Sequence, residues 1–202
     1  MKFYFRKEGL LFYGVSFALF LIFLFISYFI SFIFFVLTLF FLYFFRDPER
    51  MIPKEGILSP ADGRIVELKE KEDGVFIAIF MSPFNVHVNR SPISGNISNI
   101  DYKKGGKYPA SSDKASFLNE SNNFTIKNEN LRIILRQIAG ILARRIVFFK
   151  KEGDFVQRGE RIGLIKFGSR VEIFLPKNLN ILVKKGEKVY AGSTIIAKEK
   201  ET

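Results

Sequence analysis

From Leu10 to Phe45 the chain runs for 36 residues without a charged side chain. One helix of that length would extend ~54 Å, well past the ~30 Å hydrocarbon core of a bilayer. The pattern therefore predicts two short helices of roughly 17 residues each, the low end for a span, turning near Ser27-Tyr28-Phe29-Ile30-Ser31. Lys2, Arg6 and Lys7 precede the stretch, and Arg46, Arg50 and Lys54 follow it. Basic residues on both flanks place both ends in the cytoplasm, which a hairpin allows and a single span does not. The expectation is a transmembrane helical hairpin over 1–45 in the cell membrane, with the rest of the chain on the cytoplasmic side. A re-entrant hairpin and one strongly tilted helix are the alternatives. A signal peptide does not fit, because the apolar region is too long and no small-residue cleavage site follows it.

After Phe45 the pattern changes to short apolar runs broken by turn residues. Pro48 and Pro53 stop the helix and mark a stiff linker over 46–56. From Ile57 the chain reads as β structure. Arg64 to Leu68 alternates, Val75 to Phe80 is a buried strand ended by Met81-Ser82-Pro83, and Val86 to Arg90 alternates again, placing His87, Asn89 and Asn85 on one face. Lys103 to Asn123 is polar and aperiodic, a long loop of the kind that is functional or mobile. Arg132 to Ile138 resumes strand patterning, and Gly140 to Ile146 reads equally as a short helix or a strand. The segment Gly153–Ile165 has a spaced echo in Val183–Ala197. Each unit reads as a strand, a Lys/Arg-Gly-Glu turn and a second strand, with glycine supplying the left-handed turn conformation. The expected fold is mainly β, a sandwich or barrel-like domain over 57–202 whose core resembles the hammerhead of biotinyl and lipoyl carrier domains.

Composition narrows the chemistry. The net charge is +11, and residues 1–45 contribute only three basic residues and one acidic. A basic domain beside a membrane attracts anionic headgroups. Nucleic acid is not expected, since no basic helix or aromatic RNA-binding motif accompanies the charge. There is no cysteine, which removes disulfides, thiol catalysis and thiolate metal sites. There is one histidine, His87, so a transition-metal site is not expected.

Phe167-Gly168-Ser169-Arg170 lies between two apolar strands. A serine hydroxyl after glycine can attack the preceding carbonyl, since glycine puts no side chain in the way. The resulting ester eliminates, and the new amino-terminal dehydroalanine hydrolyses to a pyruvoyl group. That carbonyl forms a Schiff base with an amine and serves as an electron sink. A Gly-Ser pair alone is more often an ordinary turn.

Six stretches in order change that weighting: Phe45-Arg46-Asp47-Pro48-Glu49-Arg50; Ser59 to Ile65; Met81 to Arg90; Asp113-Lys114-Ala115-Ser116 with Asn119-Glu120; Gln137 to Gly140 running into Ala143 to Val147; and Arg161-Ile162-Gly163 through Phe167-Gly168-Ser169-Arg170-Val171. Together they resemble the short, archaeal-type phosphatidylserine decarboxylase family, pyruvoyl enzymes made as self-cleaving proenzymes. The resemblance covers Phe44 to Ala197. It implies cleavage between Gly168 and Ser169, giving a β chain of 1–168 and an α chain of 169–202 whose pyruvoyl group comes from Ser169. That group is the implied cofactor, with no metal and no pyridoxal phosphate. The resemblance ties Asp62 to self-processing and gives His87 a part in processing or in reprotonating the carbanion after carbon dioxide leaves. Arg90, Asn89 and Asn119 are the expected substrate contacts. The long form of the family has a second histidine where this chain has Arg90, so a serine-histidine-aspartate relay does not transfer, and the base for Ser169 stays open. Arg90 suits a substrate phosphate or carboxylate instead. Gly192-Ser193-Thr194 spells the long-form cleavage site, but it lies in the second repeat unit and reads as a turn.

The implied reaction is decarboxylation of a serine phospholipid to the ethanolamine phospholipid. The implied partners are a membrane, its phospholipid substrate and the two chains of one precursor; a homo-oligomer stays open. A non-catalytic, membrane-tethered carrier of biotinyl or lipoyl type is the competing reading. It lacks a lysine beside methionine at a hairpin tip. A homologue that binds lipid without cleaving itself is the third.

Overall fold

The computed structural model describes residues 3–106, 108, 118–140, 145–167 and 169–200, and the chain divides into two compact units, 1–49 and 50–202. In the first unit, β1 (Phe3–Phe5) pairs antiparallel with β2 (Arg46–Pro48). Between them run α1 (Leu10–Phe23) and α2 (Tyr28–Phe44), joined by the turn at 24–27. Gly9 lets the chain pass under Phe45; a Cβ there would lie 2.4 Å from the Phe45 ring. The two helices pack as a hairpin, with Phe12 against Phe41 and Phe23 against Phe34. Their few polar side chains face each other: Thr38 Oγ1 donates to Ser16 Oγ at 3.0 Å, and Ser31 Oγ donates to the Phe20 carbonyl at 3.0 Å. The apolar ones point out, with Phe25 93 % exposed and Phe29 76 %.

The expectation of a transmembrane hairpin is corrected here. The turn cuts the apolar run into helices of 14 and 17 residues, about 21 and 26 Å long. Among the described residues, no helix is long and apolar enough to cross a membrane. The expected linker also begins later, because Arg46–Pro48 forms a strand of the first unit.

The second unit is mainly β, as the patterning predicts. Its strands are β3 (Ile57–Leu58), β4 (Gly63–Lys71), β5 (Gly74–Met81), β6 (Val88–Arg90), β7 (Gly95–Lys103), β8 (Ser121–Lys127), β9 (Arg132–Ala139), β10 (Ile146–Phe148), β11 (Phe155–Val156), β12 (Arg161–Ile165), β13 (Ser169–Pro176), β14 (Leu179–Ile181), β15 (Lys188–Val189) and β16 (Ile195–Glu199). An antiparallel sheet of eight runs β11-β7-β8-β9-β13-β5-β4-β15, and two sheets of three run β10-β12-β6 and β14-β16-β3. Alternate residues of the central strands, among them Ile77, Ile79, Leu135, Val171 and Ile173, fill one core. The expected loop at 103–123 is shorter at both ends: β7 includes Lys103, and β8 begins at Ser121 because Asn122 and Asn123 pair with Gln137 and Arg136. The matched stretch at 113–116 and residues 141–144 lie outside the described residues.

The tail repeat is deeper than its sequence suggests, and its strands do not pair within a unit. β11 and β15 cap opposite edges of the large sheet, while β12 and β16 enter the two small ones. Each unit grips a second repeat, Ser59-Pro60-Ala61-Asp62-Gly63-Arg64-Ile65 or Ser91-Pro92-Ile93-Ser94-Gly95-Asn96-Ile97. Gly186 N donates to Ile65 O and Gly153 N to Ile97 O, both at 2.8 Å. Leu58 N donates to Pro92 O at 3.0 Å, and Arg90 N reciprocates to Pro60 O at 2.9 Å. Glycine is required at the equivalent positions 63 and 95, where a Cβ would meet the carbonyl oxygens of Phe80 and Lys127 at 2.2 and 2.6 Å.

Candidate functional site

Ser169 opens β13, the strand held on both sides in the middle of the large sheet. It pairs with Met81, the last residue of β5, and with Ala139, the last of β9. It is fully buried, and its Oγ lies 3.4 Å from the Met81 sulfur. Two residues earlier Phe167 has φ +58°. A bulky residue resists that left-handed conformation by about 1–3 kcal/mol, so backbone strain sits two residues before the serine. Gly168, the expected other side of the scissile bond, lies outside the described residues.

The segment 85–90 brings three more expected residues to this end of the sheet. β6 pairs with β12 through Leu164 and Val88, and Ile165 N donates to His87 O at 3.3 Å, just before the chain turns toward Ser169. His87 is fully buried, with Nδ1 2.9 Å from the Asn85 carbonyl. A carbonyl only accepts, so Nδ1 carries the hydrogen, and in the neutral form of the ring the lone pair is on Nε2. Asn89 Nδ2 reaches the same Met81 sulfur at 3.8 Å, and Asn89 Oδ1 accepts from Gln137 Nε2 at 2.8 Å. Arg90 is buried and donates through Nη1 to Gly159 O at 3.0 Å. Its side chain also lines a groove of about 600 Å³ with Arg158, Arg161, Gln157, Glu160 and Ile52. Burial works against ionisation of Glu160, but its bonds to Lys150 and the Gln157 amide outweigh it and hold the carboxyl below the usual carboxylate range.

Asp62 is held elsewhere. Arg50 Nη2 donates to both its oxygens at 3.0 and 2.8 Å, and Ala191 N donates to Oδ1 at 2.8 Å. Its counterpart in the repeat is Ser94, whose Oγ accepts from Arg158 N at 2.9 Å. Asp62 thus fills a turn-capping position where the other repeat uses a neutral hydroxyl. Asn119, expected at the substrate, spends its carboxamide on the backbone. Nδ2 donates to Tyr108 O and Ala139 O, and Oδ1 accepts from Tyr108 N, all at 2.7 Å. It pins the chain beside Ala139, the pairing partner of Ser169. Gly192-Ser193 is a relaxed turn: glycine takes φ +71°, and Thr194 Oγ1 accepts from Tyr190 N at 2.9 Å.

Three residues do not stand out as functional from sequence: Met81 and Gln137 at this end, and Arg50 beside Asp62. Gln137 leaves a signal, since it occupies a core-facing position in a strand whose inward neighbours are Ile133, Leu135 and Ala139.

Arg170, next to Ser169, bonds Glu67 Oε2 through Nη2 at 2.7 Å, and its Nε lies 2.9 Å from Glu172 Oε1. Lys69 foremost, then Arg170, hold the Glu67 carboxyl below its ordinary 4.5. A carboxyl lowered in the folded state adds stability above its unfolded pKa and loses it as pH falls through the folded value. We expect Glu67→Gln to lower the melting temperature at neutral pH, and the gap from the parent chain to close as pH drops below 4.5. Thermal melts across that range check it; a gap independent of pH would count against the clamp.

The phosphatidylserine decarboxylase family model matches residues 37–197. A phosphatidylserine decarboxylase proenzyme of Solibacter usitatus is 48 % identical over 156 residues, covering 77 % of this chain and 76 % of its own. A protein of Methanosarcina mazei, provisionally named an archaetidylserine decarboxylase proenzyme, is 50 % identical over 156 residues, covering 76 % and 73 %. A phosphatidylserine decarboxylase proenzyme of Carboxydothermus hydrogenoformans is 45 % identical over 167 residues, covering 78 % of each. With matches that span both the strained serine strand and the His87 segment packed beside it, the chain belongs to the phosphatidylserine decarboxylase family.

Proposed function

We propose that the chain is a proenzyme that cuts itself between Gly168 and Ser169 and then decarboxylates the serine headgroup of a membrane phospholipid, phosphatidylserine, to the ethanolamine headgroup. The observation that carries this is the buried Ser169 at the head of a central strand, two residues after Phe167, which is held at positive φ. In the cut, Ser169 Oγ loses its proton and bonds to the Gly168 carbonyl carbon; the C–N bond breaks, and the freed nitrogen takes a proton. Loss of the Ser169 Cα proton then expels Gly168 as a carboxylate. Water converts the remaining dehydroalanine to the ketone, with release of ammonia.

The residues present fit such a group. β13 is paired for eight residues with β5 and for six with β9, so a cut at its first residue leaves the new terminus held in place. A pyruvoyl group supplies an electrophilic carbonyl and an electron sink for loss of carbon dioxide from an amino acid headgroup. The chain's own residues do the rest. His87, with its lone pair on Nε2, moves the proton, while Asn85 fixes the ring. Burial of Ser169, His87 and Asn89 excludes water from the reacting atoms. Arg90 and Arg161, along the groove, take the lipid phosphate. The family match favours this reading over a carrier domain.

The hairpin attaches the enzyme to the cytoplasmic side of the cell membrane without spanning it, entering and leaving by the same face. The hydroxyls of Ser16, Ser31 and Thr38 turn inward while many of its large apolar side chains, Phe25 and Phe29 among them, turn outward, the reverse of a water-soluble pair of helices. A charge among such lipid-facing positions costs about 2.5–3.5 kcal/mol. The double substitution Phe25→Glu, Phe29→Glu should therefore weaken cosedimentation with anionic vesicles by at least about 100-fold and leave the fold of the second unit intact. Unchanged cosedimentation would remove the hairpin from the membrane.

The function is tested by incubating purified chain with ester-linked and, separately, ether-linked serine lipid and following the ethanolamine lipid formed. Turnover of either establishes the reaction, and the ratio identifies the lipid backbone. No turnover of either by self-cleaved protein overturns the proposal.

A further inference from the structure

Three carboxamides form a directed chain that ends at the Met81 sulfur, which Ser169 also approaches. Asn122 Nδ2 donates to Gln137 Oε1 at 3.1 Å, Gln137 Nε2 donates to Asn89 Oδ1 at 2.8 Å, and Asn89 Nδ2 meets the Met81 sulfur at 3.8 Å. All three are 1 % exposed, and the Ser169 hydroxyl reaches the same sulfur at 3.4 Å. An asparagine amide fits the space it fills in either of two orientations, and only its partners choose between them. Here Gln137 makes the choice. Because it donates to Asn89 Oδ1, the N–H face of Asn89 is presented toward Met81 and Ser169. Gly163 keeps Gln137 in place; a Cβ there would lie 2.7 Å from Gln137 Nε2.

Resting on the self-cleavage reading above, we infer that Gln137 is a positioning residue for the cut: it holds Asn89 as a hydrogen-bond donor beside the serine oxygen. That oxygen carries charge in both halves of the reaction, giving up its proton in the attack and departing within the Gly168 carboxylate in the elimination. A thioether is a weak acceptor, so Asn89 Nδ2 loses little on turning from sulfur to a charged oxygen. With the opposite orientation, Asn89 would present a carbonyl oxygen to that charge and oppose it.

The test is Gln137→Glu, which keeps the shape of the side chain but replaces the donor with an acceptor when ionised. Asn89 must then turn its N–H toward position 137 and its oxygen toward Ser169. Cleavage is followed as loss of the 23.3 kDa precursor on denaturing gels, alongside a thermal melt, with Ser169→Ala and the parent chain run in parallel. The expected result is cleavage at least about tenfold slower than the parent near neutral pH, recovering relative to the parent as pH falls. Protonation of the introduced carboxyl restores a donor, and the residues in contact with it, Asn89, Asn122 and Gly163, do not titrate. Gln137→Met, which has no donor at any pH, should be slow throughout. If Gln137→Glu does not fold, Gln137→Met and Gly163→Ala decide the matter by the same cleavage assay. Cleavage of folded variants at the parent rate, or a slowing of Gln137→Glu that falling pH does not relieve, overturns the inference and reduces Gln137 to packing. Continued cutting of Ser169→Ala instead overturns the self-cleavage reading itself.

Discussion

Ser169→Ala is expected to leave the chain as a single 23.3 kDa species under conditions where the parent separates into fragments of residues 1–168 and 169–202. The effect should be complete, because no other group at that position supplies the attacking oxygen. The substitution is mild for the fold. Ser169 is buried and alanine is smaller. The hydroxyl's 3.4 Å approach to a thioether is weaker than the ~1 kcal/mol of an ordinary hydrogen bond, so its removal costs little. The strand keeps its pairing to β5 and β9 through the main chain. Intact mass spectrometry reads the outcome, and the small fragment of the parent should have a blocked amino terminus. A parent chain that stays whole yet turns over serine lipid, or a Ser169→Ala variant that is still cut, would end the pyruvoyl account. Cutting after Gly192 would release a ten-residue tail instead. That turn is unstrained, with a glycine at the one position that needs positive φ, whereas at Phe167 a side chain bears it.

His87→Gln is expected to lower turnover by at least about 100-fold, in the range found for loss of a positioned acid or base. Glutamine can still donate to the Asn85 carbonyl, as the imidazole does at 2.9 Å, so the loop stays in place while the proton-accepting nitrogen is removed. His87 is the chain's only histidine, and no second imidazole stands by to replace it. Cleavage and decarboxylation should be measured separately on the same preparation. Loss of decarboxylation in fully cleaved protein assigns His87 to the headgroup reaction, and loss of cleavage assigns it to processing. Activity within threefold of the parent in both would remove it from the chemistry.

Much of this is legible in the chain itself. Alternation marks most of the central strands, and the Gly-Ser junction stands out because it separates two of them. The apolar run at 10–45 marks a helical pair, since no soluble domain leaves so many phenylalanines without a polar face. The turn expected near 27–31 leaves helices of only 14 and 17 residues, and among the described residues no helix is long and apolar enough to cross a membrane. Repeats are only half visible. The tail units read as hairpins, but short strands gain more by pairing with distant edges than with each other. The matching Ser-Pro-x-x-Gly-x-Ile segments that receive them become apparent only once the strands are paired. Asn119 is named as a substrate contact only through the resemblance; the fold adds that its carboxamide bonds the Tyr108 and Ala139 carbonyls.

By itself, the order of residues bounded the class of chemistry available: with no cysteine and one histidine, reactivity has to arise from serine, lysine, a carboxylate, the single imidazole or the backbone, and the matched stretches point to the last through Ser169. It also determined the mainly β architecture, because period-two patterning is a local property of the strand. Only the tertiary structure decided which polar groups meet that serine. Met81 and Gln137 lie on two strands of the large sheet that both flank β13, and Asn89 lies on β6 of a small sheet. They converge because the small sheet packs its buried face on the large one, so that Gln137, 48 residues from Asn89 in the chain, meets it through a side-chain hydrogen bond. The strain at Phe167 is likewise a tertiary fact, since it persists only where pairing on both sides of the following strand holds the backbone against its local preference.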